Sequence, residues 1–243
     1  MRIAYAHDWL TSWRGGEKVL AALLEIYPDA PIYTLFYDPE AMPESIRRRD
    51  VRFPRALNPW RKFRKALLPI LPAAAESLPL ESYDLIISTS SCVMKGVMTG
   101  PQTQHICYIH SPMRYIWDQR SHYLDQLPSI PGLRSTMAYA SSRLREWDVT
   151  SSNRVDRFVA NSSFVAARVR KYYRRPASVL APPVELERFL TPSPTVKEDY
   201  FLAAGAFVPY KRFDLAILAA EKTGTRLIVA GSGPDAPRLR KLT

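Results

Sequence analysis

Val208-Pro209-Tyr210-Lys211-Arg212 sets two adjacent cations between an apolar run, residues 202 to 206, and a stretch of helical periodicity, residues 213 to 221. Cations at a helix start, beside its unpaired backbone N–H groups, suit an anion and above all a phosphate. The same two charges also make an ordinary solvated surface. Gly231-Ser232-Gly233-Pro234, after a further apolar run, adds a backbone-accessible turn of the kind found at the carboxyl edge of a parallel sheet. A second chemical stretch is His110-Ser111-Pro112-Met113-Arg114-Tyr115-Ile116-Trp117-Asp118, which follows the apolar run His105 to Ile109. Taken alone, His110 is either a structural hydrogen-bonding residue or a group that meets substrate. Gly15-Gly16 near the N-terminus lets backbone approach a ligand and opens a helix, although two glycines also make a plain strand-to-helix turn.

These residues need strands that end beside them. Residues 2 to 6, 31 to 36, 83 to 89, 105 to 109, 157 to 160 and 178 to 181 read as strands, alternating with helices over 16 to 27, 133 to 151 and 162 to 173, the last capped by Ser162. Such alternation predicts an α/β protein with a doubly wound parallel sheet. Residues 202 to 206, 213 to 221 and 227 to 230 form a separate β-loop-α-β unit. The Pro-, Ser- and Thr-rich stretch 191 to 199 reads as a linker between a first domain, 1 to 190, and the start of a second, 200 to 243. The cations of residues 154 to 174 are expected mostly on a solvated helix face, and Lys95 in a bland strand-to-helix connection.

The order of these parts resembles the retaining glycosyltransferases of family 4, of GT-B fold, over nearly the whole chain. G-x-F-V-P-Y-K-R-F-D-L-A-I followed by L-I-V-A-G-S-G-P is similar to the start of their second domain. H-D-W-L-x-x-x-x-G-G-E-K-V resembles their first βα unit, and Y-x-H-S-P-M-R-Y-x-W-D a motif of mannosyltransferase-like members. The resemblance implies transfer of a hexose, with mannose one candidate, from a nucleotide diphosphate sugar to a saccharide or lipid-linked saccharide in polysaccharide biosynthesis. It implies that Lys211 binds the donor diphosphate, with Arg212, Gly15 and Gly16 beside it, and that His110 lies against the transferred sugar. Asp8, Trp9, Ser111, Arg114 and Tyr115 are implied in substrate loops. No cofactor or metal is implied, the donor itself being the substrate. The family's usual Arg is replaced by Ala206, which implies weaker donor binding. Its later E-x(7)-E motif has no counterpart after Gly233. The expectation is therefore a truncated second domain, a fragment or a naturally shortened product, with poor transfer by this chain alone, proteolytic cutting within 190 to 199, and partly uncovered strand edges and an apolar helix face.

Composition bounds the alternatives. The net charge of +11 and a pI near 9.8 call for an anionic partner. Cys92 and Cys107 form no CxxC pair, so neither a disulfide framework nor a zinc site is suggested and a reducing cytoplasm is the default. The N-terminus has no signal-peptide pattern, and no apolar run approaches the roughly 20 residues of a membrane span. Residues 47 to 71 place Trp60, Arg61, Lys62, Phe63, Arg64 and Lys65 among further cations and leucines. That pattern suits peripheral docking on the inner face of a plasma membrane, or equally a solvated basic helix over the core. The competing functional reading is a non-catalytic basic α/β module that binds acidic membrane or nucleic acid. A GT-B relative such as a sugar-nucleotide epimerase fits the fold but matches the Y-x-H-S-P-M-R-Y loop less well. The surrounding motifs favour sugar-nucleotide chemistry over nucleic acid.

Overall fold

A computed structural model describes residues 1–64, 66–119, 130–186, 190 and 199–242. The chain divides into two compact units, Met1–Val184 and Glu185–Thr243. Residues 191–198 of the expected linker lie outside the described residues.

The first unit is built on seven parallel strands: β1 (Ile3–His7), β2 (Ile32–Thr34), β3 (Val51–Arg52), β4 (Leu85–Ser90), β5 (Gln104–Ile109), β6 (Arg157–Ala160) and β7 (Ala177–Val179), in the order β3-β2-β1-β4-β5-β6-β7. Side chains on β1 alternate between two cores. Ala4 and Ala6 join Phe36, Leu71, Ile86 and Met113 on one face, whereas Tyr5 joins Leu20, Leu24, Ile32 and Ile87 on the other. Burial on both faces is what near-continuous apolar strands require, and it makes the sheet doubly wound as expected.

The winding reverses between β1, which pairs with β2 on one side, and β4 on the other. The loops after β1 and β4 therefore flank a topological switch point, the crevice where open α/β sheets place ligands. Helix α1 (Gly15–Leu23) follows β1; α2 (Glu44–Arg47) and α3 (Leu71–Glu76) are short; α4 (Leu133–Ser151) and α5 (Ser163–Tyr173) flank β6. The Ser162 hydroxyl accepts from the Val165 N–H at 3.3 Å, the cap expected from sequence.

The basic helix considered for residues 47 to 71 does not form. Pro54, Pro59 and Pro69 interrupt the stretch, which instead holds β3 and a 3₁₀ turn at Asn58–Phe63. β3 itself has no apolar signature, and its two residues pair with Ile32 and Tyr33 at the sheet edge.

The second unit pairs β8 (Phe201–Ala206) in parallel with β9 (Leu227–Ser232) and connects them through α6 (Phe213–Thr223), with a short α7 (Ala236–Leu239) beyond. Phe213, Ile217 and Leu239 form its core, Phe207 meeting Phe213 edge-on at 5.1 Å. Gly231 holds φ +155°, and a Cβ there would fall 1.9 Å from the Gly205 carbonyl oxygen, so only glycine fits this crossing of the two strands. Phe201, Leu202, Leu215 and Leu218 are exposed.

Two buried histidines tie stability to pH. His105 on β5 places Nε2 2.8 Å from Ser88 Oγ and Nδ1 3.3 Å from the Arg154 carbonyl oxygen, and burial lowers its pKa to about 4. Burial likewise lowers His7 to about 4, with the charge of His110 adding to the fall and Asp8 opposing it. Both are neutral in the folded protein at pH 7. The unfolded chain, titrating near pH 6.5, binds more protons below that value, so stability is full above about pH 6.5 and falls as pH drops towards 4. Each histidine accounts for up to about 3 kcal/mol of the loss. Urea unfolding of the wild type and of His105→Asn at pH 7.5 and 4.5 tests this: the wild type is expected to lose more stability over the interval, and an identical loss in both would refute it.

Candidate active site

The first unit gathers most of the sequence-predicted residues along the carboxyl edge of β1, β4 and β5. Asp8, the residue after β1, is buried and reaches across the switch point. Its Oδ1 accepts from the Val93 and Met94 N–H groups, both at 2.9 Å, and its Oδ2 from Ser91 N at 2.6 Å and Cys92 N at 2.9 Å. The hydroxyls of Ser90 and Ser91 add further donors at 3.2 Å. Four backbone and two side-chain donors occupy the carboxylate fully. Asp8 thus anchors the β4 loop, rather than offering its oxygens to a substrate.

His110 follows β5 and is held through its backbone. Its N–H donates to the Ser90 carbonyl at 2.8 Å, and its carbonyl accepts from Asn161 Nδ2 at 3.1 Å. The ring stands edge-on to Tyr108 at 5.3 Å. Nε2 is buried and has no hydrogen-bond partner among the described residues. A methyl group added at Gly16 would lie 3.4 Å from it, so the helix start at Gly15–Gly16 and the His110 ring face each other. Burial lowers the His110 pKa, opposed by Asp8, which keeps the ring neutral at pH 7 and able to donate or accept one hydrogen bond. Glu17, in the first turn of α1, accepts from Arg14 N at 3.0 Å, and burial raises its pKa. His7 Nδ1 lies 2.5 Å from Thr89 Oγ1.

The loop after His110 is fixed by residues that sequence reasoning missed. Arg168 on α5, only 8% exposed, donates from Nη1 to Ser111 Oγ at 2.6 Å and pairs through Nη2 with Asp118. Burial lowers its pKa. Most cations of this segment face solvent as expected, Arg157, Arg170, Lys171 and Arg174 among them, and Arg168 is the exception. Its place on the stripe of Val165, Val169 and Tyr173 was the available signal, since a cation there must be buried with a partner.

Tyr172 joins by donating to Asp118 at 2.7 Å and stacking on Trp117 at 4.3 Å. Ser111 is buried, Tyr115 half-buried against the core, and Arg114 exposed at the edge. Lys95 is a buried structural residue, 3.1 Å from Asp148 Oδ1. Trp9 is half-buried, with the Arg64 guanidinium 5.6 Å from its ring centre. A depression of about 390 Å³ lined by Met1, Ile3, Tyr27 and Pro28 lies at the amino end of β1, opposite these loops, and is no part of the site.

In the second unit Pro209–Lys211 forms a 3₁₀ turn, and Arg212 enters α6 at φ +53°. The exposed Lys211 side chain folds back over the end of β8: a Cβ at Gly205 would meet its Nζ at 3.2 Å. Arg212 is engaged by Asp214, Nε to Oδ1 at 3.0 Å. Within the loop, Val208, Lys211 and Arg212 donate their N–H groups to the carbonyls of Ala206, Val208 and Pro209. Of the two cations of residues 208 to 212, Arg212 is thus paired with a carboxylate, whereas Lys211 has no ion pair among the described residues.

Among the described residues no three His, Cys, Asp or Glu side chains group to hold a metal ion, and no helix is long and apolar enough to cross a membrane. Cys92 and Cys107 are buried free thiols.

A doubly wound seven-stranded parallel sheet, with its crevice at the β1/β4 switch point, is a Rossmann-like α/β architecture. The chain belongs to glycosyltransferase family 4, whose model matches residues 13–188. It aligns with the wall teichoic acid polymerase TagF at 11% identity and a TM-score of 0.43, covering 95% of this chain and 56% of that one. It also aligns with a kitacinnamycin glycotransferase at 15% identity and a TM-score of 0.39, covering 95% and 66% of the two chains. No curated protein matches the sequence. The chain thus spans less than two thirds of the length of either of these two proteins.

Proposed function

We propose that this protein transfers a hexose, mannose being the first candidate, from a nucleotide diphosphate sugar to a saccharide or lipid-linked saccharide, with retention of anomeric configuration, on the cytoplasmic side of a membrane. The observation that carries the reading is the buried Nε2 of His110, without a hydrogen-bond partner among the described residues and facing Gly16 beside the switch point. A neutral imidazole there can hydrogen-bond a sugar hydroxyl, while the glycine leaves room for the ring to approach. Lys211 is the second element. Departure of a nucleotide diphosphate develops negative charge, which a lone ammonium stabilises electrostatically. Arg114 and Tyr115 at the loop edge are offered as acceptor-side contacts, and Gly15 and Gly16 as the backbone that lies against the donor.

The test is transfer by the purified protein from labelled GDP-mannose and other nucleotide sugars to saccharide acceptors, with product configuration read by NMR. His110→Ala is expected to lower kcat/KM roughly tenfold, the cost of about one lost hydrogen bond to a buried polar group. Turnover equal to wild type in a folded His110→Ala variant would remove His110 from the site.

A further inference from the structure

Residues 51 to 75 contain six Arg and Lys and not one Asp or Glu. The structure sorts them. Arg52 is committed to Asp50 and Arg61 to Asp38, whereas Arg55 and Lys62 are exposed and make no ion pair among the described residues. Lys65 lies outside the described residues. Leu68 is not available to a partner, because it packs on the main core with Leu57 and Leu67.

Trp60, Phe63 and Ile70 are turned outward, 57%, 63% and 53% exposed, and the two aromatic rings lie 6.5 Å apart. Beside them is an open, almost wholly apolar depression of about 460 Å³ lined by Pro54, Leu57, Trp60, Leu67, Ile70 and Ala74. Three large apolar side chains held in water around an apolar hollow, with cations and no acid among them, are costly for a free surface. They match one environment well: the interface of an anionic bilayer, where aromatic rings sit at headgroup level, acyl chains fill the hollow and cations meet lipid phosphate.

We propose that the surface carried by Pro54, Arg55, Trp60, Lys62, Phe63 and Ile70 docks this protein peripherally on an anionic membrane. Trp60 and Phe63 enter the headgroup boundary, the apolar hollow receives lipid chain, and Arg55 and Lys62 meet the phosphates. The surface is joined to the site, since Arg64 at the end of the 3₁₀ turn lies over Trp9, one residue beyond the Asp8 anchor. Docking would present the crevice to an acceptor carried in the same bilayer.

Two double variants test the surface without touching buried contacts: Trp60→Ser with Phe63→Ser, and Arg55→Glu with Lys62→Glu. Sedimentation with phosphatidylcholine vesicles is compared with vesicles containing phosphatidylglycerol, the fold of each variant being checked by circular dichroism. Wild type is expected to partition at least about tenfold better onto the anionic vesicles, less so at high salt. The charge variant should lose about thirtyfold or more on anionic vesicles, and the aromatic variant should lose binding at every salt concentration. Equal recovery on both vesicle types, or wild-type binding by both folded variants, overturns the proposal. So does self-association without vesicles that the aromatic variant abolishes, which would make the surface a contact between copies. Vesicle binding is read without any sugar transfer, so its failure and the failure of the proposed reaction are distinguishable.

Discussion

Lys211→Ala is expected to slow sugar transfer about a hundredfold to a thousandfold, or ~3 kcal/mol of transition-state stabilisation. The magnitude follows from how the loop is spent. The N–H groups of Val208, Lys211 and Arg212 close the turn itself, and the Arg212 guanidinium is held by Asp214, which Arg238 also approaches at 3.5 Å. The ammonium of Lys211, poised above Gly205 at the end of β8, is the cation left to meet a leaving diphosphate. Arg212→Ala should therefore change turnover by less than about threefold, the scale of an exposed ion pair. Single-turnover kinetics with a fixed donor would measure both. Equal defects in the two variants would contradict this division of labour, and an unaffected Lys211→Ala would remove the diphosphate role.

Lys95→Met is expected to destabilise the first unit by about 3–5 kcal/mol, because it strands a buried carboxylate. The Lys95 ammonium is 1% exposed. It donates to the Asp148 carbonyl and to Ser151 Oγ, both at 2.7 Å, and lies 5.0 Å and 5.1 Å from the ring centres of Trp147 and Tyr173. Asp148 Oδ2 in turn accepts from Trp117 Nε1 at 2.8 Å and Tyr173 Oη at 2.9 Å. Trp117 belongs to the loop that begins at His110, so the pair joins the β4 loop, α4 and the site in one polar network. Replacing Asp148 by Leu in the Lys95→Met background should restore part of the loss, since the stranded charge is then gone. Urea unfolding monitored by tryptophan fluorescence gives the cycle. A single variant that loses less than about 1 kcal/mol would show the network to be unimportant.

The parts that were legible in the sequence are those that local chemistry decides. Apolar runs separated by helical periodicity are enough for a doubly wound sheet, and Ser162 ahead of an apolar stripe is enough for a cap. The Gly15–Gly16 turn and the His110 loop lie at strand ends for the same reason. What was hidden depends on partners distant in the chain. Asp8 could not be read as an anchor, because its four backbone donors lie more than eighty residues away. Lys95 finds Asp148, and Arg168 finds Asp118, across similar gaps of fold rather than of sequence. β3 was missed because two residues pairing at a sheet edge leave no periodicity to detect. The basic segment was open to a helical reading because charge and aromatic content say nothing of backbone, whereas its prolines decide it.

The Asp8 clamp bears on how such proteins can be remade. Because one carboxylate holds four consecutive amides of the β4 loop, the turns after β1 and β4 behave as a single part with a single fastening. A β4 loop transplanted from a relative would keep its shape here only if its backbone offered the same run of donors. A graft that shortened residues 91 to 94 by one would leave a buried charge short of partners, at a cost on the order of 1–3 kcal/mol or more. Recombination between relatives should therefore succeed when both turns are exchanged together and fail when either is exchanged alone.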